Sequence, residues 1–206
     1  NFVGPLLADC PFSIEVEMLR EGKSSSMLSA KAIQEGKVCL VVQACFAKAR
    51  PSKIEIQNHV AIDLPAPDEK RATSYDEKSM PAFLQHFNLD VIEGQMPFTG
   101  SQYSALGGWM RLLKVPAELT EAHIISLIDA WPPATLQMAN GLAMASTMTW
   151  TIDFIQPRKM MKSTDWLAYR CETLHSSSGY GTTDANIWSQ AGDLVAVSRQ
   201  CVTVFA

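Results

Sequence analysis

The sequence predicts an α+β fold in which an antiparallel sheet wraps around one long helix. Alternation of apolar and polar residues with period two dominates the chain, and one segment has strong helical periodicity, with further strands after it. The 206 residues (22.6 kDa) allow one large domain or two small ones. Because 47% of the residues are hydrophobic and 18% are charged, the chain has ample material for a core.

A three-stranded meander is predicted at the start of the chain. Residues 12–20 alternate as a half-buried strand does, a turn at 22–26 leads to a strand at 27–34, and Glu35-Gly36 forms a hairpin turn into 38–48. The apolar residues of the first strand, which we expect to face inward, are Phe12, Ile14, Val16 and Met18. The third strand is apolar at nearly every position, which predicts a central strand buried on both faces.

Between Pro51 and Pro81 the composition changes. Four prolines and the mixed charges of residues 68–71 favour a loop or linker over a packed element. The predicted domains are a partial first module at 1–60, a linker at 61–81 and a complete second module at 82–206.

The second module is predicted to hold one helix among its strands. Strands at 83–92 and 103–113 precede a helix at Thr120–Trp131, which Thr120 can cap and which Pro132-Pro133 ends. The apolar stripe of this helix is Ile124, Leu127, Ile128 and Trp131. Four strands follow at about 143–156, 165–175, 179–189 and 193–205, and Ala191-Gly192 joins the last two.

Two short similarities indicate an internal repeat. Residues 2–5 resemble 154–157, and residues 34–36 match 190–192, at offsets of 152 and 156 positions. The order of elements around them also matches. The chain would then begin at the position equivalent to Asp153, and we expect the helix and first strands of the first module to lie upstream.

Charge and composition exclude several classes of function. With 17 basic and 21 acidic residues the net charge is −4, which argues against nucleic acid as a partner. No apolar run reaches the roughly 18–20 residues that a membrane helix needs, so we expect a soluble protein with no membrane partner. The five cysteines and four histidines are scattered, which predicts reduced thiols in a cytoplasmic protein, with no metal and no cofactor.

Several motifs together resemble the thioesterase-like superfamily, and most closely its double hot-dog acyl-CoA thioesterases of type II. The resemblance covers about 12–48 and 98–206. It is carried by residues 19–24, 108–111, 127–133, 146–154, 166–167, 192–196 and 198–200. It implies two hot-dog modules, each an antiparallel sheet wrapped around a long central helix, with the first module incomplete.

The same resemblance implies hydrolysis of acyl-CoA thioesters at a catalytic site of Asp129, Thr147 and Gln200. Asp129 would accept a proton from water, while Thr147 and Gln200 hold the water and the carboxylate. An ordinary Asp pKa of about 3.9 makes a poor base at neutral pH, so burial would have to raise it. Structural roles remain open: Asp129 as a turn residue, Thr147 as a strand former and Gln200 as an amide at a sheet edge.

Further hypotheses concern the binding of substrate, the class of activity and the oligomeric state. Arg158, Lys159 and Lys162 could meet the phosphates of coenzyme A, or could lie on a solvated loop. A non-catalytic acyl or acyl-CoA binding protein and a hot-dog hydratase are the alternative functions. By analogy with other hot-dog proteins we expect a homodimer or a higher homo-oligomer.

Overall fold

The computed structural model describes residues 1–57 and 61–205. These residues form two compact units. The first contains residues 1–57 together with Thr147–Trp150, and the second contains residues 61–146 and 151–205. The predicted boundary at residue 60 and the side chain of His59 lie outside the described residues.

The first unit contains a three-stranded antiparallel sheet in its described residues. The strands are β1 (Ser13–Glu21), β2 (Ser25–Gln34) and β3 (Lys37–Ala47), in the order β1-β2-β3. Glu35 and Gly36 join β2 to β3 with φ angles of 51° and 73°, the left-handed backbone that a tight two-residue hairpin requires. The predicted meander and its hairpin are therefore confirmed.

Two predictions about this sheet are wrong. The central strand is β2, while β3 lies at an edge with most of its residues exposed or half-buried. The apolar side chains expected to face inward from β1 are 49–64% exposed: Phe12, Ile14, Val16 and Met18. Alternation shows which face of a strand is apolar but not which element covers it, and the described residues of the first unit contain no helix.

The amino-terminal segment is held to the first sheet by a buried amide. Gln34, which is 4% exposed, accepts the Leu7 N–H at 2.7 Å and donates its Nε2 to the carbonyls of Leu7 and Cys10. Phe2 forms a bridge to Leu40 of β3. The segment is thus fixed by hydrogen bonds and not by apolar packing alone.

The second unit contains one α-helix and the larger sheet of the described chain. The sheet has the order β4-β5-β7-β8-β9-β6 and the helix is α1 (Glu121–Asp129). The strands are β4 (Phe87–Glu93), β5 (Leu106–Leu112), β6 (Met144–Phe154), β7 (Leu167–Ser177), β8 (Tyr180–Ser189) and β9 (Leu194–Phe205). The predicted fold class is confirmed, because two strands, one α-helix and four more strands follow one another in this unit as expected.

Three element boundaries differ from the prediction. The region 83–92 begins with a 3-10 helix at Ala82–His86 before β4, and β5 is shorter than the predicted 103–113. Helix α1 ends at Asp129, two residues before Trp131. Proline disfavours helical backbone in the residue before it, so Pro132 ends the helix earlier than the apolar stripe does.

The core of the second unit lies on both faces of its sheet. On one face, α1 buries Ile124, Leu127 and Ile128. On the other face, tryptophans from three strands or their ends form a cluster with partly buried apolar residues: Trp109, Trp166 and Trp188, with Ile62, Leu64, Ala72, Ile92 and Leu194. Covering both faces buries the apolar area that stabilises a sheet domain.

Residues 61–81, predicted as a linker, contain no helix or strand, and they pack against the face of the sheet that carries the tryptophan cluster. The indole N–H of Trp109 donates to the Pro65 carbonyl at 2.7 Å. Arg71 forms an ion pair with Asp90 of β4, whose side chain is fully buried. The segment is therefore an integral part of the second unit.

Candidate active site

Asp129 is the last residue of α1. The helix begins at the N-cap Thr120, whose backbone N–H donates to Nδ1 of His123 at 3.2 Å. Helix C-termini concentrate partial negative charge, so a carboxylate there is disfavoured in its charged form. At this position Asp129 is therefore less favoured in its charged form than an aspartate elsewhere on the surface.

Burial raises the pKa of Asp129 above its ordinary value. The residue as a whole keeps more than a third of its surface exposed, so part of it remains accessible to solvent. Partial desolvation of this kind favours a proton acceptor that is more basic than a free aspartate.

Tyr169 of β7 packs against the chain that follows α1. Its ring stacks on Trp131, with centroids 4.8 Å apart and planes at 12°. Burial is the main cause of the raised pKa of its hydroxyl, and the charge of Asp129 adds to it. The Trp131 indole N–H in turn donates to the sulfur of Met110 at 3.1 Å. These contacts fix the chain just after α1 against the sheet.

Gln200 lies on the same face of the sheet as Tyr169. In the register of β8 and β9 it is directly opposite Thr183, which lies two residues from Ala185, the residue opposite Cys171 of β7. Cys171 is two residues from Tyr169 on β7, so their side chains share a face. Asp129 and Gln200 thus both belong to the α1 side of the second unit.

Thr147 is half-buried in the middle of β6, in the part of that strand that groups with the first unit. In the first part of β6 the half-buried residues are the odd-numbered ones, Ala145 and Thr147. After Thr147 they are the even-numbered ones, which include Trp150 and Ile152. Thr149 is exposed although it lies two residues away. The three threonines of β6 are therefore not equivalent.

The two basic residues predicted to bind substrate each face an acidic group. Nη1 of Arg158 is 3.2 Å from Oε1 of Glu121, in the first turn of α1, an ion pair without hydrogen-bond geometry. Nζ of Lys159 is 2.6 Å from Oδ1 of Asp193. An incoming phosphate would have to exchange with these carboxylates.

Sequence reasoning missed three buried polar residues on the α1 side of the sheet. Tyr169, Cys171 and Thr183 are each under 9% exposed and share one face of β7 and β8. Within the described chain the buried hydroxyl of Thr135 has no hydrogen-bond partner. In the sequence these residues are visible only as polar positions within apolar strands. Such positions do not show which side chains lie together until the strand register is known.

Other potential sites lie elsewhere or lack suitable ligands. A cavity of about 260 Å³ is lined by charged residues including Asp63, Arg170 and Glu172, and neither Asp129 nor Gln200 lines it. Among residues 1–57 and 61–205 no cluster of three His, Cys, Asp or Glu side chains could hold a metal ion. No helix of the described chain has the length and apolarity to cross a membrane.

Comparison with protein families finds two matches that together span most of the chain. Residues 61–204 match the family described as acyl-CoA thioesterase C-terminal domain, and residues 1–47 match acyl-CoA thioesterase N-terminal domain. No curated protein matches the chain.

Solved structures show the same fold. A protein with the hot-dog fold from Alicyclobacillus acidocaldarius has a TM-score of 0.84 and 25% identity, with 100% of this chain and 76% of that chain covered. A putative thioesterase II from Thermobifida fusca has a TM-score of 0.75 and 21% identity, with the same coverage. An acyl-CoA thioesterase II from Mycobacterium marinum has a TM-score of 0.72 and 18% identity, covering 100% and 78%.

Proposed function

Because the chain belongs to the acyl-CoA thioesterase family and is therefore a thioesterase, we propose that it hydrolyses acyl-CoA to a free fatty acid and coenzyme A with a water activated by Asp129, Thr147 and Gln200. The observation that carries this proposal is the position of Asp129 at the end of α1, on the side of the sheet to which Gln200 also belongs, where burial raises the pKa of its carboxyl. A carboxylate with raised pKa accepts a proton from water more readily, and general bases work best with a pKa near the working pH.

The reaction needs one base and no covalent intermediate. The water oxygen attacks the thioester carbonyl carbon while Asp129 takes a proton from that water. The tetrahedral intermediate then collapses, the carbon–sulfur bond breaks, and the departing thiolate takes the proton from Asp129. Asp129 is thereby returned to its charged form for the next turnover.

Thr147 and Gln200 are assigned as groups that orient the water and the carboxylate. A hydroxyl both donates and accepts, and a carboxamide presents both functions at fixed geometry. Orienting a nucleophile in this way lowers the activation barrier by removing rotational freedom before reaction. Gln200 is suited to the task because its strand register holds it on the α1 side of the sheet.

Arg158 and Lys159 are proposed to contact the phosphates of coenzyme A. Each is paired with a carboxylate, so binding would exchange one ion pair for another. We further propose a role in lipid metabolism and self-association as a dimer or higher oligomer, which follow from the family resemblance, and a cytoplasmic location, which the five free cysteines favour. These assignments extend the proposed activity and are independent of the Asp129 chemistry.

Release of free thiol from a panel of acyl-CoAs tests the proposal. Asp129→Ala removes the base, and we expect the kcat for the best substrate to fall at least about a hundredfold. Asp153→Ala is the matched control, since Asp153 is an exposed carboxylate on β6. Equal kcat values for wild type and Asp129→Ala would refute the proposed site, and acyl-CoA binding without turnover by the wild type would identify a binding protein.

A further inference from the structure

The last turn of α1 is closed by hydrogen bonds from the two residues that follow Asp129. The Ala130 N–H donates to the Ser126 carbonyl at 3.1 Å, and the Trp131 N–H donates to the Ile128 carbonyl at 3.4 Å. The final turn of a helix ordinarily frays, because its last carbonyls lack partners within the helix. The backbone position of Asp129 therefore depends on what holds these two following residues in place.

Trp131 anchors this end of the helix to the sheet. Its ring stacks on Tyr169 of β7, with centroids 4.8 Å apart and planes at 12°, and its indole N–H donates to the sulfur of Met110 on β5 at 3.1 Å. Trp131 is 5% exposed and Ala130 is 2% exposed. A large buried ring with contacts on two strands has little freedom to rotate, so it also fixes the backbone that carries it.

The chain beyond this tryptophan is held to the sheet domain at a second point. Two prolines lead into a 3-10 helix at Ala134–Met138. Gln137 of this helix is 2% exposed, its Oε1 accepts the Gln95 N–H at 2.8 Å, and its Nε2 donates to the Ala105 carbonyl at 2.9 Å. Gln95 lies just after β4 and Ala105 just before β5, so the segment that follows α1 is tied down at both of its ends.

We propose that Trp131 is a positioning residue that holds the Asp129 carboxylate in the place where it activates water. This inference rests on the proposed function, because it assigns Trp131 a task within that site. Trp131 does not need to touch the substrate. It acts through the backbone, by keeping the last turn of α1 closed.

The expected effect on the rate follows from the short range of proton transfer. A general base must lie within hydrogen-bond reach of the proton that it takes, about 2.6–3.2 Å between heavy atoms. A frayed turn would let the carboxylate leave this range, and a displacement of about 1 Å can lower a rate about a hundredfold. Substrate binding does not depend on that distance. Loss of the Trp131 ring should therefore lower kcat and leave KM nearly unchanged.

Matched substitutions at Trp131 and Trp166 separate positioning from packing. Trp166 is 6% exposed and belongs to the tryptophan cluster on the opposite face of the sheet. Trp131→Leu and Trp166→Leu each remove one buried indole, so packing alone predicts similar losses of stability and similar effects on activity. Positioning predicts that only Trp131→Leu lowers kcat.

The measurements are kcat and KM for acyl-CoA hydrolysis, under conditions in which urea denaturation shows each variant to be folded. We expect Trp131→Leu to lower kcat at least about tenfold, with KM changed less than about twofold. Trp131→Phe, whose smaller ring can still stack on Tyr169, should keep kcat within about threefold of wild type. Trp166→Leu should keep the wild-type kcat.

Tyr169→Leu carries the test if Trp131→Leu does not fold. This variant removes the stacking partner, leaves Trp131 in place and should lower kcat as Trp131→Leu does. Amide hydrogen exchange then reports the fraying directly. The Ala130 amide should exchange faster in Tyr169→Leu than in wild type, relative to the amide of Ile124 at the start of α1, because local opening exposes only the last turn.

Three results would overturn the inference: a wild-type kcat in folded Trp131→Leu, an equal fall of kcat in Trp166→Leu, or an unchanged ratio of Ala130 to Ile124 exchange in Tyr169→Leu. Each of them, found together with an inactive Asp129→Ala, leaves the proposed function standing. Equal kcat values for wild type and Asp129→Ala would instead remove the site on which this inference rests.

Discussion

At the scale of single residues, Asp129 shows how position changes the chemistry of a common side chain. Its carboxyl sits at the negative end of a helix and is partly desolvated, and both effects favour the neutral form. The helix was predictable from the apolar stripe and the following prolines, although its last residue was predicted two positions too late. The desolvation was not predictable, because burial depends on how α1 packs in the fold.

Thr135 supplies a residue-scale prediction. Its hydroxyl is buried without a hydrogen-bond partner in the described chain, and its methyl group lies over Gly181. An unpaired buried hydroxyl costs about 1–3 kcal/mol. Thr135→Val, which keeps the shape, should therefore raise the free energy of unfolding by about 1 kcal/mol in urea denaturation, and a decrease would contradict the assignment.

At the scale of elements, the segment 61–81 illustrates what polar contacts add to a stretch without secondary structure. Asp90 of β4 is fully buried, and its carboxylate accepts hydrogen bonds from Arg71 Nε at 3.0 Å, Arg71 Nη2 at 2.8 Å and the Asp68 N–H at 2.9 Å. The prolines and charges of this segment predicted a loop. The partner of the charges, about 20 residues away on a strand, could not be identified from composition.

Removing Arg71 tests whether this ion pair holds the segment in place. Arg71→Met leaves the buried Asp90 carboxylate without its charge partner, so we expect the free energy of unfolding to fall. Arg199→Met is the control, since the Arg199–Asp184 pair is more exposed and its loss should lower the free energy of unfolding less. Equal losses in the two variants, measured by urea denaturation, would show that the buried pair has no special role.

At the scale of the whole molecule, local sequence patterns predicted the helix and the turns better than they predicted which residues are buried. The two hairpin turns at residues 35–36 and 191–192 and the helix at α1 were predictable because each depends on neighbours in the sequence. The 3-10 helix at Ala82–His86 was missed because five residues are too few to show a period. The exposure of β1 was missed because burial depends on which other element is present.

The candidate site likewise contains residues that the sequence indicated and residues that only the tertiary structure revealed. Asp129, Thr147 and Gln200 were identified from their resemblance to family motifs, whereas no motif indicated Tyr169, Cys171 or Thr183. Their common face depends on the register between β7 and β8, and a shift of one residue would turn the side chains of a strand to the other face. Register is a tertiary property that neither composition nor periodicity contains.

The pH dependence of kcat/KM for acyl-CoA hydrolysis tests the central claim most directly, because it reports the pKa of the base in the free enzyme. A base must be deprotonated to act, so activity should fall as the pH is lowered through the pKa of Asp129. Since burial raises that pKa, the fall should be centred above the usual value of about 3.9 for aspartate. We expect Asp129→Asn to lose most of the activity and with it this acidic limb. An acidic limb that persists unchanged in Asp129→Asn would show that another group is the base.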